Sequence, residues 1–539
     1  MKSQPIRAIS LFLLILSVLF ILTPAAKAAT TITVNTIADN NTGGDGSCTL
    51  REAILAANGS PANNDCGPDS GTPYTVNFSI SGTITLNSAL PNIASNMTID
   101  GSGHLVTVSG NGTVRVFYVN IGYSVNLNGL TVANGLGDYG GGIKNEGALT
   151  VTNSTIFNNR ATYGGGIETE GALTIANSTF SDNSATYGGG GIYNYSGPLT
   201  VTNSTISSNS ASSWGGGILN DNGTLTVTNS TISVNSSVYG GGIGNSSQGT
   251  CFVTNITISG NSAASNGGGG ISNEGTFNVT NSTVSSNTAT YHGGGIANFG
   301  TLTVTNSTIT GNSATYGGGI YNYYGSITLT NSTLADNSTI GIYNNNSTLN
   351  VMNSIIAKGS ASGYCCYGGH TDAYSNLADD NTCGSGFTES ASILLGTLGD
   401  YGGSTQTIPL LLGSAALDAG DDAICAASPV NSLDQRGVSR PMGMHCDIGA
   451  FECRGQVKRL SDGTIFDSIQ DAYDSVSSGT ITILAQAYVI PEELLLNNDS
   501  NVTLKGGMDS NYNPTVGYSP VNKLTVERGQ AVISNMIIK

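Results

Sequence analysis

Leu199 to Asn220 read LTVTNSTISSNSASSWGGGILN, and neighbouring copies keep the frame LTVTNSTIxxNSAxYGGGIxN through the middle of the 539-residue chain. The first Asn of the frame falls at Asn153, Asn177, Asn203, Asn229, Asn255, Asn281, Asn306, Asn331 and Asn353, at spacings of 22 to 26 residues. A second Asn follows six residues later in the first eight copies, from Asn159 to Asn337. That constant offset marks a rigid element. Length varies only between the second Asn and the Ile of GGGI, and between that Ile and the next copy, so these segments are corners. A period of this size admits chiefly a leucine-rich horseshoe or a parallel β-helix. The return segment is Ser, Thr, Asn, Tyr and Gly, too poor in helix formers for a horseshoe.

The frame therefore predicts an all-β, right-handed parallel β-helix. Each turn holds three short strands, near LTV, STI and GGI, each paired with its equivalent one turn away at about 4.8 Å. Leu149, Val151, Ile156, Ile167 and their equivalents point inward and stack as aliphatic ladders. Asn at both corners is structural, because amides one strand spacing apart can donate and accept along the axis. That reading also explains the NST strings without glycosylation. Gly before each Ile gives a tight corner or a close backbone approach.

Composition agrees with a stacked array rather than separate globules: 9% of residues are charged and 75 are Gly. A basic start at Lys2 and Arg7, an apolar run from Ala8 and an exit at Ala26-Lys27-Ala28 predict a secretory signal peptide cut after Ala28. No later run approaches the length of a transmembrane helix, so the mature chain has no bilayer span in this reading. A net charge of -17 with no basic run argues against nucleic acid and acidic lipid as partners; a monomer is expected. The nine cysteines of an exported chain predict disulfides, with Cys48 and Cys66 as the best pair and the connectivity of the later six open. Zinc is not expected: there is no paired CxxC, and only His104, His292, His370 and His445 are at hand.

Ahead of the repeats, TTITVN reads as a strand, and Leu50, Ala53, Ile54 and Ala57 share one face of a helix. Together they cap the open end of the coil. The string CTLREAI, Cys48 to Ile54, resembles the CSLREA motif found near the start of many secreted bacterial repeat proteins, with Thr49 in place of Ser. Arg51 and Glu52 are expected to tie the cap helix to the first coil rather than to catalyse. From Ser124 to Lys358, GGGI followed by IxxN or FxxN, as in Phe180-Ser-Asp-Asn183, resembles the GGAI and FxxN repeats of chlamydial-type polymorphic outer-membrane proteins, with Gly as the third residue of GGAI.

From about Ile393 the repeats stop. GSAALDAGDDAIC, DQRGVSRP and CDIGAFE, between Gly413 and Glu452, resemble the choice-of-anchor Q module that follows β-helices in secreted and surface bacterial proteins. Phe466 to Val476 has helical spacing and precedes strands near TITIL, LLLNN and NVTLKGG, the pattern of a further β-helix cap with its first turns or of a small terminal β domain. The organisation is thus signal peptide 1–28, cap 29–73, β-helix 74–392, module 393–453 and a β-rich module 454–539.

Carbohydrate lyases and hydrolases share the pectin-lyase-like solenoid, so catalytic chemistry on this coil belongs at its exposed positions. Stacking brings Lys144, Glu146, Arg160, Glu168 and Glu170 onto adjacent turns. Two carboxylates about 5 Å apart suit a retaining glycosidase, and Arg160 suits a lyase base, but a solvated charge ladder is the preferred explanation. Asp418, Asp421 and Asp422 carry the oxygen ligands calcium accepts, although a polar loop is preferred; no other cofactor is expected. Tyr139, Tyr163, Tyr187, Trp214, Tyr239, Tyr291 and Tyr316 each stand four or five residues before the Ile of GGGI, and only the copy with Asn266 breaks the row. Such a row either shields a corner or offers a binding platform. The leading functional expectation is a non-catalytic adhesin or structural protein of the extracellular space, cell surface or outer membrane, with a glycan or protein ligand; the alternative is a polysaccharide lyase or glycoside hydrolase.

Overall fold

The computed structural model describes residues 30–538 apart from short stretches at 61–63, 68–72, 266, 359–362, 412, 443, 454–456, 463–464, 467–468, 487–492, 509–513, 515–517 and 522. The expected signal peptide and the position of Asn266 lie outside the described residues.

Residues 30–389 wind into a parallel β-helix. Its first wall has 14 strands, from Thr30–Val34 to Asp372–Tyr374, and includes every LTVT segment. The second wall has 14 strands, from Gly82–Thr85 to Phe387–Glu389, and the third has 11, from Phe117–Val119 to Tyr364–Tyr367. Pairing is parallel and in register with the repeat: Leu149 faces Leu173, Ile156 faces Phe180 and Ile143 faces Ile167. Leu149, Val151, Ile156 and Ile167 are all buried in one continuous apolar core. A fourth strip of seven short strands, from Leu136–Tyr139 to Thr288–Ala289, lies between the second and third walls. The expected three strands per turn omit this strip, whose two- to five-residue strands carry no alternating apolar pattern.

The two Asn columns do different work. Asn159 and its seven equivalents are buried, and each amide Nδ2 donates to the next Oδ1 at 2.9–3.0 Å, from Asn159 to Asn337. The same Oδ1 accepts the backbone N–H of the preceding Asn at 2.9–3.1 Å. The first column, Asn153 to Asn353, instead sits in the left-handed region at φ 46–56°. It forms amide contacts only here and there, as between Asn255 and Asn229 at 3.2 Å, so the expectation of an axial ladder at both corners is corrected. Asn is used at the first corner because it tolerates that backbone, whereas most side chains do not. A second buried ladder runs through the Asn of GGGIxN, from Asn194 through Asn220, Asn245, Asn273, Asn298 and Asn322 to Asn344 at 2.8–2.9 Å. Thr169 interrupts it: its Oγ accepts from Asn145 but donates to the Gly171 carbonyl, leaving the buried Oδ1 of Asn194 without a partner.

At the N-terminus, helix α1 (Leu50–Ala57) buries Leu50, Ala53, Ile54 and Ala57 over the open end of the core. Thr49 and Glu52 form a reciprocal capping box. Arg51 pairs with Asp39 at 2.8 Å and donates to the Ser88 and Ala89 carbonyls at 2.7 Å, tying cap to coil as expected. Disulfides join Cys48 to Cys66, Cys366 to Cys383 and Cys425 to Cys446.

After the coil, the chain returns over the second wall. Ile408, Leu410, Ala416 and Ile448 pack on Ala335, Ile355, Ala357 and Leu377. Thr308 Oγ1 donates to Gln435 Oε1 at 2.6 Å, and Asn353 exchanges hydrogen bonds with the Asp421 backbone at 2.9 and 3.0 Å. The later second-wall threonines, Thr283, Thr308 and Thr333, are buried under this strap, whereas Thr155, Thr179 and Thr205 are only half-buried. Beyond it, helix α2 (Ile469–Asp474) precedes strands that again stack in parallel, Ser478–Gln486 on Asp499–Met508 on Gln530–Ser534, with their own core.

The distinct roles of the two corners give a paired expectation. Asn209→Ala strips acceptors from two buried N–H groups of Asn183 and should cost at least about 3 kcal/mol in denaturant unfolding followed by circular dichroism. Asn203→Gly keeps the left-handed corner and should change stability by less than about 1 kcal/mol. Conversely, Thr169→Asn should stabilise the coil by about 1 kcal/mol by continuing the interrupted ladder.

Candidate functional site on the third wall

The outer face of the third wall is a shallow trough. Its floor is the residue after each GGGI Ile: Lys144, Glu168, Tyr193, Leu219, Gly244, Ser272, Ala297, Tyr321 and Tyr343. One rim is the aromatic row borne by the fourth strip and its continuation. The other rim contains Glu146, Glu170, Tyr195, Asp221, Ser246 and Glu274.

At the N-terminal end of the trough the structure brings Lys144, Glu168 and Glu170 together. Lys144 Nζ lies 3.0 Å from Glu170, 3.3 Å from Glu146 and 3.6 Å from Glu168. It also sits 5.1 Å from the centre of the Tyr139 ring. The Tyr118 hydroxyl donates to Glu146 at 2.6 Å. Glu168 is only 1% exposed, and its Oε2 has no hydrogen-bond partner. Burial pushes its carboxyl up to about 7, with Lys144 opposing the rise. Arg160 does not join this group. Its side chain lines a separate cavity of about 430 Å³ with Asn111, Asn134, Leu136 and Asn158, and among the described residues it forms no ion pair. A retaining pair needs both carboxylates open to the scissile bond, yet Glu168 is sealed beneath Lys144 and its neighbours.

The aromatic row is a set of stacks. Tyr139 and Tyr163 lie 5.4 Å apart at 6° and Trp214 and Tyr239 4.9 Å apart at 26°, whereas Tyr163 and Tyr187, 4.8 Å apart, are tilted by 44°. Rings stacked along the axis turn their edges to solvent; Tyr139, Tyr187, Tyr291 and Tyr316 are exposed. In two copies one extra residue stands between the aromatic and GGGI. Where it is His292, the imidazole takes the ring position, pairing in register with Tyr316 and stacking on Tyr321 at 4.1 Å. Where it is Gly188, the residue pairs with Trp214 but has no ring, and the ladder is interrupted. A Cβ at Gly188 would come within 2.5 Å of Leu219 Cδ2, so the Leu219 side chain occupies the space that a larger residue there would need. Next to this break a slot of about 120 Å³ is lined by Tyr187, Tyr193, Trp214, Leu219, Asp221, Ser246 and Glu274. The floor aromatics Tyr193, Tyr321, Tyr343 and Tyr367 were not singled out by sequence reasoning, although each is a departure from the repeat at one fixed position. The spacing of five rather than four at Tyr187 and Tyr291 was the signal for the slot.

Asp418, Asp421 and Asp422 are engaged by protein donors. Asp421 caps the helix Asp422–Ala426 through the Ala423 N–H at 2.8 Å; Asp422 holds His445 Nδ1 at 2.9 Å and the Cys446 N–H at 2.8 Å. Asp418 accepts the His445 N–H at 3.1 Å. Among the described residues the group whose ligand atoms converge is instead Cys365, Asp379 and Asp380, where the Cys365 thiol already donates to Asp379 at 2.7 Å. The charged residues of DQRGVSRP and CDIGAFE are likewise occupied internally. Asp434 receives Arg436 at 2.7 Å, while Arg440 is buried against Glu452 and donates to the carbonyls of Asp447 and Gly449 at 3.0 and 2.8 Å. Burial together with the neighbouring Glu452 raises the Asp447 carboxyl well above the usual range.

A family comparison agrees with this architecture. The family described as right handed beta helix region matches residues 114–289. A crystal structure of pectate lyase Pel9A is similar over 79% of this chain and 97% of that chain, at 14% identity and a TM-score of 0.28. No curated protein matches the chain. The chain is a right-handed parallel β-helix protein.

The sealed acid gives a pH expectation. The folded-state carboxyl of Glu168 titrates near 7, above its ordinary value of 4.5, so the native chain holds a proton that the unfolded chain releases. Stability therefore falls as pH rises through that window. Glu168→Gln removes the penalty: its advantage over the parent should be near zero at pH 4 and grow to at most about 3 kcal/mol above pH 7. An advantage that shrinks with rising pH would contradict this assignment.

Proposed function

We propose that this chain is a non-catalytic, exported β-helix protein of surface or adhesin type that presents the outer face of its third wall to a glycan or a protein. The observation that carries the proposal is a contrast along one trough. The strongly perturbed carboxyl at its head, Glu168, is closed to solvent, whereas Tyr139, Tyr187, Tyr291 and Tyr316 stand exposed along the rim. Ringed side chains bring large contact area at low entropic cost. Three disulfides suit an oxidising compartment. The CSLREA-like, polymorphic-outer-membrane-protein-like and choice-of-anchor Q-like strings resemble secreted and surface bacterial proteins. Among the described residues no helix is long and apolar enough to cross a membrane.

A second reading, a polysaccharide lyase or glycoside hydrolase, is favoured by one feature: a carboxyl pushed up to about 7 beside Lys144 and the exposed Glu170. A panel of acidic and neutral polysaccharides separates the two. The proposal expects no cleavage by the parent chain, and glycan-array binding that is reduced by a Tyr187/Trp214/Tyr239 triple alanine variant. Turnover abolished by Glu170→Gln would overturn the non-catalytic reading.

A further inference from the structure

The slot at the break in the aromatic row has a chemistry of its own. Trp214 gives one face to Tyr239 at 4.9 Å, leaving the opposite face toward the slot. Tyr187 stands across it, Tyr193 and Leu219 form the buried floor, and Asp221 and Glu274 supply two carboxylates. No Lys, Arg or His lines it, and among the described residues neither carboxylate has an ion-pair partner. Two of the lining hydroxyls are spent within the protein: Tyr193 donates to Asp221 Oδ2 at 2.9 Å, and Ser246 donates to the Asp221 carbonyl. Such a lining offers π faces and negative charge, with the Tyr187 hydroxyl and the Trp214 indole N–H as its remaining side-chain donors. A neutral sugar hydroxyl can donate to these carboxylates but brings no charge to neutralise them. An alkylated ammonium group needs no donors, and both π faces and carboxylates attract it.

We infer that the slot between Tyr187 and Trp214 is an aromatic cage for a small alkylated ammonium group, with Asp221 and Glu274 as its counter-charges. This goes beyond the glycan or protein reading of the whole wall, and the two can fail separately. Desolvation at the rim agrees with an unneutralised acid there, since the Glu274 carboxyl is raised by burial.

Trp214 is the single tryptophan of the chain, so its fluorescence reports this slot alone. The test titrates the full chain with tetramethylammonium chloride against matched sodium chloride, and compares choline chloride with its neutral isostere 3,3-dimethylbutan-1-ol. The cage predicts a saturable change in Trp214 emission with a Kd of about a millimolar or below. It predicts no saturation with the isostere, and at least about tenfold weaker binding in both Asp221→Asn and Glu274→Gln. Circular dichroism confirms that each variant keeps the coil. An equal response to the isostere, or an affinity unchanged in both variants, would overturn the cage. So would an absent response in the folded parent. Glycan binding without a tetramethylammonium response would refute the cage while leaving the wall's broader role standing.

Discussion

Amide-to-amide hydrogen bonding from turn to turn along the column Asn159 to Asn337 is the constraint on which the coil depends. Every turn must reverse direction at a buried corner, where backbone N–H groups lose water and have no strand partner. An amide oxygen placed there accepts two N–H groups from the preceding turn, 2.9–3.1 Å away, and its own nitrogen passes the pattern on. The interaction repeats only if the spacing within each copy is fixed, which accounts for the constant six-residue offset between the two Asn columns. Gly packs over this ladder for the same reason: a Cβ at Gly166 would lie 3.3 Å from the Asn183 amide carbon and 2.5 Å from the Gly191 carbonyl oxygen.

Much of this was legible in the sequence. The period, the inward faces of Leu149, Val151, Ile156 and Ile167, the cap helix, the Cys48–Cys66 bridge and the parallel stacking all follow from spacing and residue type. Two features were not. The fourth strip has strands as short as Ser210–Ala211, which leave no periodic trace. The division of labour between Asn columns is invisible because the same residue serves two unrelated needs: a buried amide at Asn159 and a left-handed backbone at Asn153. The neighbouring corner makes the second need plain, since Asn158, Asp182, Ser208, Val234 and Gly260 all sit at φ 52–63° despite their different side chains.

The candidate site was legible only in outline. Sequence spacing placed Lys144, Glu168 and Glu170 on neighbouring turns, and they do meet. It did not show that Glu168 lies sealed below the other two, because outward direction on a strand does not specify what covers the side chain. Arg160 was grouped with them by proximity in the chain, yet a corner separates the two. The aromatic row was visible as a column, whereas its interruption depends on one inserted residue. At His292 the insertion supplies a ring and the stack continues; at Gly188 it supplies none and the row of rings is broken. The same logic extends to the strap, where the repeated threonines acquire partners only under Gln435 and its neighbours.

The repeated Asn, Gly and aliphatic residues build the architecture, while the proposed cage lies where a copy departs from the frame. Deleting Gly188 returns its copy to the common frame and brings Tyr187 into register with Trp214, so tetramethylammonium titration of that variant, read through Trp214 fluorescence, tests the claim most directly. The predicted result is a coil at least as stable as the parent with the saturable response lost. An intact coil that still responds with the parent's affinity would contradict it.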